Sequence, residues 1–164
     1  MKKVAVILGS ASDLPKIEKA FTTLEEYGVP YEAHIFSAHR TPDEAAVFAA
    51  GAREAGFGVI IAAAGMAAHL AGALAARTTL PVIGVPVSAA KLDGMDALLS
   101  TVQMPSGIPV ASVAIDGGVN AALLAVEILS LSEPSLSLAL DGAREAAKEK
   151  VLSANREIEE KYNK

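Results

Sequence analysis

Cysteine and tryptophan are absent from this 164-residue chain, and aromatic residues make up only 4% of it. Without thiols there is no disulfide framework and no thiolate metal site, and nothing points to an oxidising compartment. Basic residues are outnumbered: 14 Lys and Arg face 19 Asp and Glu, a formal net charge of -5. A nucleic-acid binder needs a basic face to neutralise phosphates, so that class is set aside. Long hydrophobic runs are missing as well. The apolar run at 4–8, behind Met1-Lys2-Lys3, imitates the start of a signal peptide but breaks at Gly9, too short for the hydrophobic region of one. No stretch nears the length of a membrane span without Gly, Pro or a charge interrupting it. The expectation is a cytoplasmic protein without membrane or nucleic-acid partners.

What is present is apolar and small. Hydrophobic residues reach 52%, above the usual range, and alanine dominates them. Small side chains allow helices to approach a sheet closely, and the excess implies apolar surface covered by further subunits. A homo-oligomer is expected.

Short apolar runs alternate with helical periodicity along the chain, the pattern of parallel βαβ units. Strands are predicted at 4–8, 31–36, 58–62, 81–85 and 110–114. Helices are predicted at 13–27, from Thr41-Pro42, at 67–76, 93–102 and 120–131. Leu14, Ile17, Phe21 and Leu24 recur at spacings of three and four. Thr41 reads as an N-cap with Pro42 at the first helical position and Glu44 closing a capping box. The tail at 135–161 carries one narrow stripe, Leu140, Ala143, Ala147, Val151, Ala154 and Ile158, on an otherwise charged helix. Right-handed crossovers then give an α/β fold, a three-layer α/β/α sandwich on a parallel sheet, flavodoxin- or Rossmann-like, with a long C-terminal helix. The chain reads as one domain (1–164), with a core at 1–131 and the helix at 135–161 in subunit contacts.

The chemistry-bearing residues fall in loops after predicted strands, the edge where open α/β sheets bind ligands. Gly9-Ser10-Ala11-Ser12-Asp13 offers a tight turn, backbone N–H groups and hydroxyls to a phosphate. Ser10, Ser12 or Asp13 would also serve simply as helix caps. The loop is neither a P-loop nor the dinucleotide fingerprint. His39 and Arg40 lie between a strand end and a helix start, where Arg offers a planar fork to phosphate or carboxylate and imidazole moves protons near neutral pH. His69 sits in an alanine-rich loop, where a lone His is more often structural. His34, mid-strand beside Glu32 and Phe36, reads as structural. Ser88-Ala89-Ala90-Lys91 follows the fourth strand on the same edge. Gln103-Met104-Pro105-Ser106-Gly107 precedes the fifth and is better placed to reach a neighbouring subunit. No metal ligand set and no Ser-His-acid triad is present.

Five spaced motifs are shared with a known family. They are Gly9-Ser10-x-Ser12-Asp13, the run from Ser37 to Pro42, Ala67-Ala68-His69-Leu70, the run from Leu80 to Val87, and Val102-Gln103-Met104-Pro105-x-Gly107. In this order they resemble the PurE family, class I branch, over about 4–131. The resemblance implies a homo-octamer without metal or organic cofactor. Its reaction would move a carboxylate from the exocyclic nitrogen of an aminoimidazole ribonucleotide to ring carbon four, in purine biosynthesis. By the same resemblance Ser10, Asp13 and Arg40 hold the ribose phosphate portion with Ser12 nearby. His39 is the acid/base and His69 lines the carboxylate pocket. Ser37, Gly65, Met66, Ala67 and Leu70 complete the substrate contacts. The class II branch, which carboxylates with free carbon dioxide, resembles Gly-Arg-Ser-Asn at the third loop and differs at Arg40 and Pro42. A non-catalytic phosphate-binding module would keep Ser10, Asp13 and Arg40 but have no use for His39. The chain departs from the family pattern at Ala63, Met66 and Ala71, where Gly, Gly and Pro are usual. Met66 would reshape the pocket if that position needs a positive φ.

Overall fold

The central strands are apolar on both sides, and this dictates the architecture. In β1 (Lys3–Leu8) and β3 (Phe57–Gly65), successive side chains point to opposite faces. Val4, Val6, Leu8, Val59, Ile61 and Ala63 enter one core, while Ala5, Ile7, Ile60 and Ala62 enter another. Such strands need cover on both faces, which parallel crossovers supply.

In the computed structural model, which describes residues 1–89 and 91–164, β2 (Tyr31–Ile35), β4 (Val82–Val87) and β5 (Ala111–Ser112) complete the sheet. Its order is β2-β1-β3-β4-β5, and every pairing is parallel. Helices α1 (Leu14–Glu26) and α5 (Gly118–Ser130), with the start of α6 (Pro134–Tyr162), cover the first face through Ile17, Leu24, Ala122, Val126, Leu136 and Leu140. Helices α2 (Pro42–Gly51) and α3 (Leu70–Ala75) cover the second through Ala45, Ala49, Leu70 and Leu74. Helix α4 (Met95–Val102) lies against β4 beside α3. The three-layer fold and the C-terminal helix expected from the sequence are both present.

Several boundaries differ from expectation, each for a local reason. The fifth strand shrinks to two residues. Gly84 and Pro86 turn their backbone toward it, accepting the Val113 and Asp116 N–H groups at 3.1 and 2.8 Å. Pro86 has no N–H to return, so the ladder ends there. Helix α3 starts at Leu70 rather than 67, because Met66 is left-handed (φ 59) and the next two turns close on Met66 and Ala67 carbonyls. Helix α4 starts after Asp93 (φ 49) and Gly94 (φ 88). Ala90, part of the loop expected after the fourth strand, lies outside the described residues.

The capping box at Thr41 does not form. Thr41 occupies the N-cap position, yet its hydroxyl makes no cap bond. It accepts the Ser37 N–H at 2.8 Å and donates to the Ser37 carbonyl at 3.3 Å. The turn carrying His39 captures the hydroxyl, and α2 begins with Pro42, Asp43 and Glu44 alone. His34 behaves as expected, stacked on Phe36 at 5.6 Å between centroids with Nε2 3.5 Å from Glu32 Oε2.

Close packing of α4 depends on Gly84, where a Cβ would fall 2.3 Å from the buried Thr101 Cγ2. Gly84→Ala is expected to lower stability by about 1–3 kcal/mol in urea unfolding. Adding Thr101→Ser, which removes that methyl and keeps the hydroxyl bond to Ala97, recovers much of the loss; no recovery would mean that the clash is not the cause.

Candidate active site

The sheet order reverses between β1 and β3, which lie side by side while the chain leaves them in opposite directions. At such a switch point the following loops part and leave a crevice. Here the crevice is a cleft of about 650 Å³ with Gly9 and Gly65, at the ends of the two strands, on its walls. A larger hollow of about 880 Å³ lies at the amino ends of the strands, around Arg53, Arg77 and Thr79, and holds no histidine. Chemistry, not size, selects the first.

Every site residue expected from the sequence lines this cleft. From the first loop come Ser10, Ser12 and Asp13; from the second, Ser37, His39 and Arg40; from the third, Gly65, Met66, Ala67, His69 and Leu70. In the first loop a 3-10 turn, Ala11–Asp13, precedes α1. Ser10 Oγ accepts from the Ser12 N–H at 3.3 Å and the Ser12 hydroxyl at 2.9 Å. Asp13 is partly enclosed. Burial raises its carboxyl above the ordinary value, the Ser10 backbone and the Lys16 ammonium pull it down, and Asp116 pushes it up.

The second loop is a stitched turn. Besides the Thr41 hydroxyl, Ser37 Oγ accepts the Arg40 N–H at 3.2 Å. The Arg40 side chain leans toward β1, with Nε 3.4 Å from Ser37 Oγ and Nη2 3.5 Å from the Gly9 carbonyl. These are long contacts, so the guanidinium keeps donors for a ligand. His39 is exposed at the rim.

His69 holds the N-cap position of α3 without a side-chain cap bond. A Cβ on Gly72 would meet its Cε1 at 2.6 Å and Met104 Sδ at 3.0 Å, so imidazole and thioether both lie over Gly72. Met104, in the 103–107 loop, therefore packs beside His69 of its own chain. Met66 adopts the positive φ that makes glycine favourable, and its side chain is 66% exposed at the cleft.

One charged cleft residue, Lys16, escaped the sequence reading. Lys16 lines the cleft and donates to the Ser88 carbonyl and, at 2.8 Å, to Ser88 Oγ. Ser88 appeared in that reading only as part of a loop on the same edge. Lys16 sits three residues after Asp13, the spacing that places two side chains on one helical face. That was the available signal. Among the lining residues, Lys16 and Arg40 are permanent cations and Asp13 the one carboxylate, so the cleft favours an anionic ligand.

Fold and site together define a doubly wound α/β protein with a histidine-bearing cleft of net positive charge at its switch point. Residues 3–150 match the family model described as AIR carboxylase. The chain belongs to the AIR carboxylase family. It is 54% identical over 157 residues to an N5-carboxyaminoimidazole ribonucleotide mutase of Pyrococcus horikoshii, covering 96% of this chain and 89% of that one. A mutase of the same name from Bacillus subtilis is 52% identical over 157 residues, covering 94% and 97%. The crystal structure of Treponema denticola PurE superposes with a TM-score of 0.84 at 29% identity, covering 98% of each chain.

Asp13 gives a pH prediction. Its folded pKa is raised, so the folded state binds this proton more tightly than the unfolded one, and stability falls as pH rises through that range. Asp13→Asn should raise the thermal midpoint at pH 7, and the gain should vanish once pH falls below the ordinary carboxylate value. A gain independent of pH would rule out the carboxylate as its source. At position 66, Met66→Gly relieves a left-handed residue but frees the unfolded chain, leaving stability within about 1 kcal/mol. Met66→Val places a β-branched residue at the same φ and is expected to lose about 1–3 kcal/mol. Chemical denaturation checks both, and equal effects would contradict a backbone origin.

Proposed function

We propose that this chain is an N5-carboxyaminoimidazole ribonucleotide mutase, an isomerase of purine biosynthesis. The observation that carries this reading is the gathering of all three motif loops, His39 and His69 included, around one cleft in a chain about half identical to proteins of that name.

His39 is the proton carrier. Protonation of the exocyclic carbamate nitrogen lets its C–N bond break, leaving the electron pair on nitrogen and releasing carbon dioxide. Ring carbon four, electron-rich through the freed amine, attacks the carbon dioxide and forms the new C–C bond. That carbon then carries an extra proton. The histidine base removes it, restores aromaticity and returns to its starting state. The carbon dioxide must be kept from bulk water meanwhile. The small apolar walls around His69, formed by Ala64, Ala67 and Ala68, suit that purpose. Ser10, Ser12, Asp13, Ser37 and Arg40 bind the ribose and phosphate. Gly65, Met66, Ala67 and Leu70 border the migrating carboxylate.

The working protein is a cytoplasmic homo-octamer in which 1–131 form the catalytic core and the C-terminal helix makes subunit contacts. Helix α6 supports this. Leu136 and Leu140 are its buried residues, whereas Leu138, Val151, Leu152 and Ile158 are exposed in the single chain. No helix among the described residues is long and apolar enough to cross a membrane.

The test is His39→Asn, which keeps the size and polarity of the side chain and removes its proton transfer. It should still bind the ribonucleotide while turnover falls by about 100-fold or more. Retention of most activity with intact binding would remove His39 from this role.

A further inference from the structure

The helix that opens the cleft and the loop after β4 are joined by a chain of hydrogen bonds that none of the shared motifs contains. Asp116 Oδ1 accepts the Ser88 N–H at 2.8 Å and Oδ2 accepts the Ser88 hydroxyl at 2.6 Å. Ser88 in turn offers its carbonyl and Oγ to the Lys16 ammonium. Each donor polarises the next, and a fixed carboxylate at the far end strengthens the series. Asp116 adopts a left-handed backbone (φ 55), costly for most residues though less so for Asp.

We infer that Lys16, held in place by Ser88 and Asp116, binds the phosphate of the ribonucleotide. This rests on the mutase reading for the identity of the substrate. An ammonium carries three donors. Ser88 takes two in this structure, and the third is left for a ligand in the cleft that Lys16 lines. The geometry also shows a need for it. A phosphate carries close to two negative charges at neutral pH, and Arg40 is the only other permanent cation among the lining residues. The Ser10 and Ser12 hydroxyls supply neutral donors. Lys16 stands one turn along α1 from Asp13, on the side of the cleft assigned to the ribose phosphate. A purely mechanical tie between α1 and the β4 loop would need no charge on a cleft wall.

The experiment compares the full chain with its Lys16→Met, Lys16→Arg and Asp116→Gly variants. It measures conversion of N5-carboxyaminoimidazole ribonucleotide, inhibition by inorganic phosphate, and thermal midpoint. Lys16→Met should raise KM about 10-fold with kcat within about twofold, and weaken phosphate inhibition by a similar factor, as loss of one charge-assisted hydrogen bond implies. Lys16→Arg should restore most of both. Asp116→Gly removes the grip on Ser88 but suits the left-handed backbone, so KM should rise several-fold without a lower midpoint. Unchanged KM and phosphate inhibition in Lys16→Met would overturn the assignment. So would a KM rise in Asp116→Gly that merely tracks a fall in midpoint, for the positioning part. If the unaltered chain converts nothing, the mutase reading fails instead, and phosphate binding by calorimetry still reports on Lys16.

Discussion

Close approach of helices to both faces of a narrow parallel sheet is the constraint on which the rest depends. Strands β1, β3 and β4 are buried on both sides and carry no polar side chain between their ends, so the groups able to do chemistry gather where the strands stop. Alanine and glycine make the approach possible: Cβ atoms on Gly58, Gly84 and Gly118 would meet neighbours at 3.0 Å or less. A core of this kind gains from contact density rather than from large side chains. It also leaves the two central strand termini as the natural place for a pocket, because their loops diverge to opposite sides of the sheet.

Much of this was legible in the sequence. Buried parallel strands announce themselves as unbroken apolar runs, and residues 4–8 and 58–62 were placed correctly with only their ends missed. What was not legible depended on interactions between segments distant in the chain. The fifth strand is cut short by a proline in its neighbour. Thr41 carries a perfect local signature for a cap, yet the adjoining turn outcompetes the helix for its hydroxyl. The start of α3 depends on one left-handed residue, Met66, whose backbone state no side-chain pattern reveals.

The site shows the same division. Histidines and serines in short loops after strands are conspicuous, and all of them reached the cleft. Lys16 left only a faint trace, its three-residue spacing from Asp13, because a lysine on an exposed helix turn is ordinary; its meeting with Ser88, 72 positions away, gives that trace meaning. Asp116 was hidden for the same reason. Charge in this cleft is therefore arranged in two layers, residues lining the cleft and residues that fix them, and the second layer is written mainly in tertiary contacts.

The diverted hydroxyl of Thr41 has a consequence for solution conditions. Helix α2 starts without a side-chain hydrogen bond, and Asp43 and Glu44 in its first turn complement the positive end of its dipole instead. Charge–dipole attraction of this kind is screened by dissolved ions, whereas a buried capping bond is not. The loop bearing His39 thus leans on a helix end whose capping is largely electrostatic, and this junction is where ionic strength acts on the order of that loop.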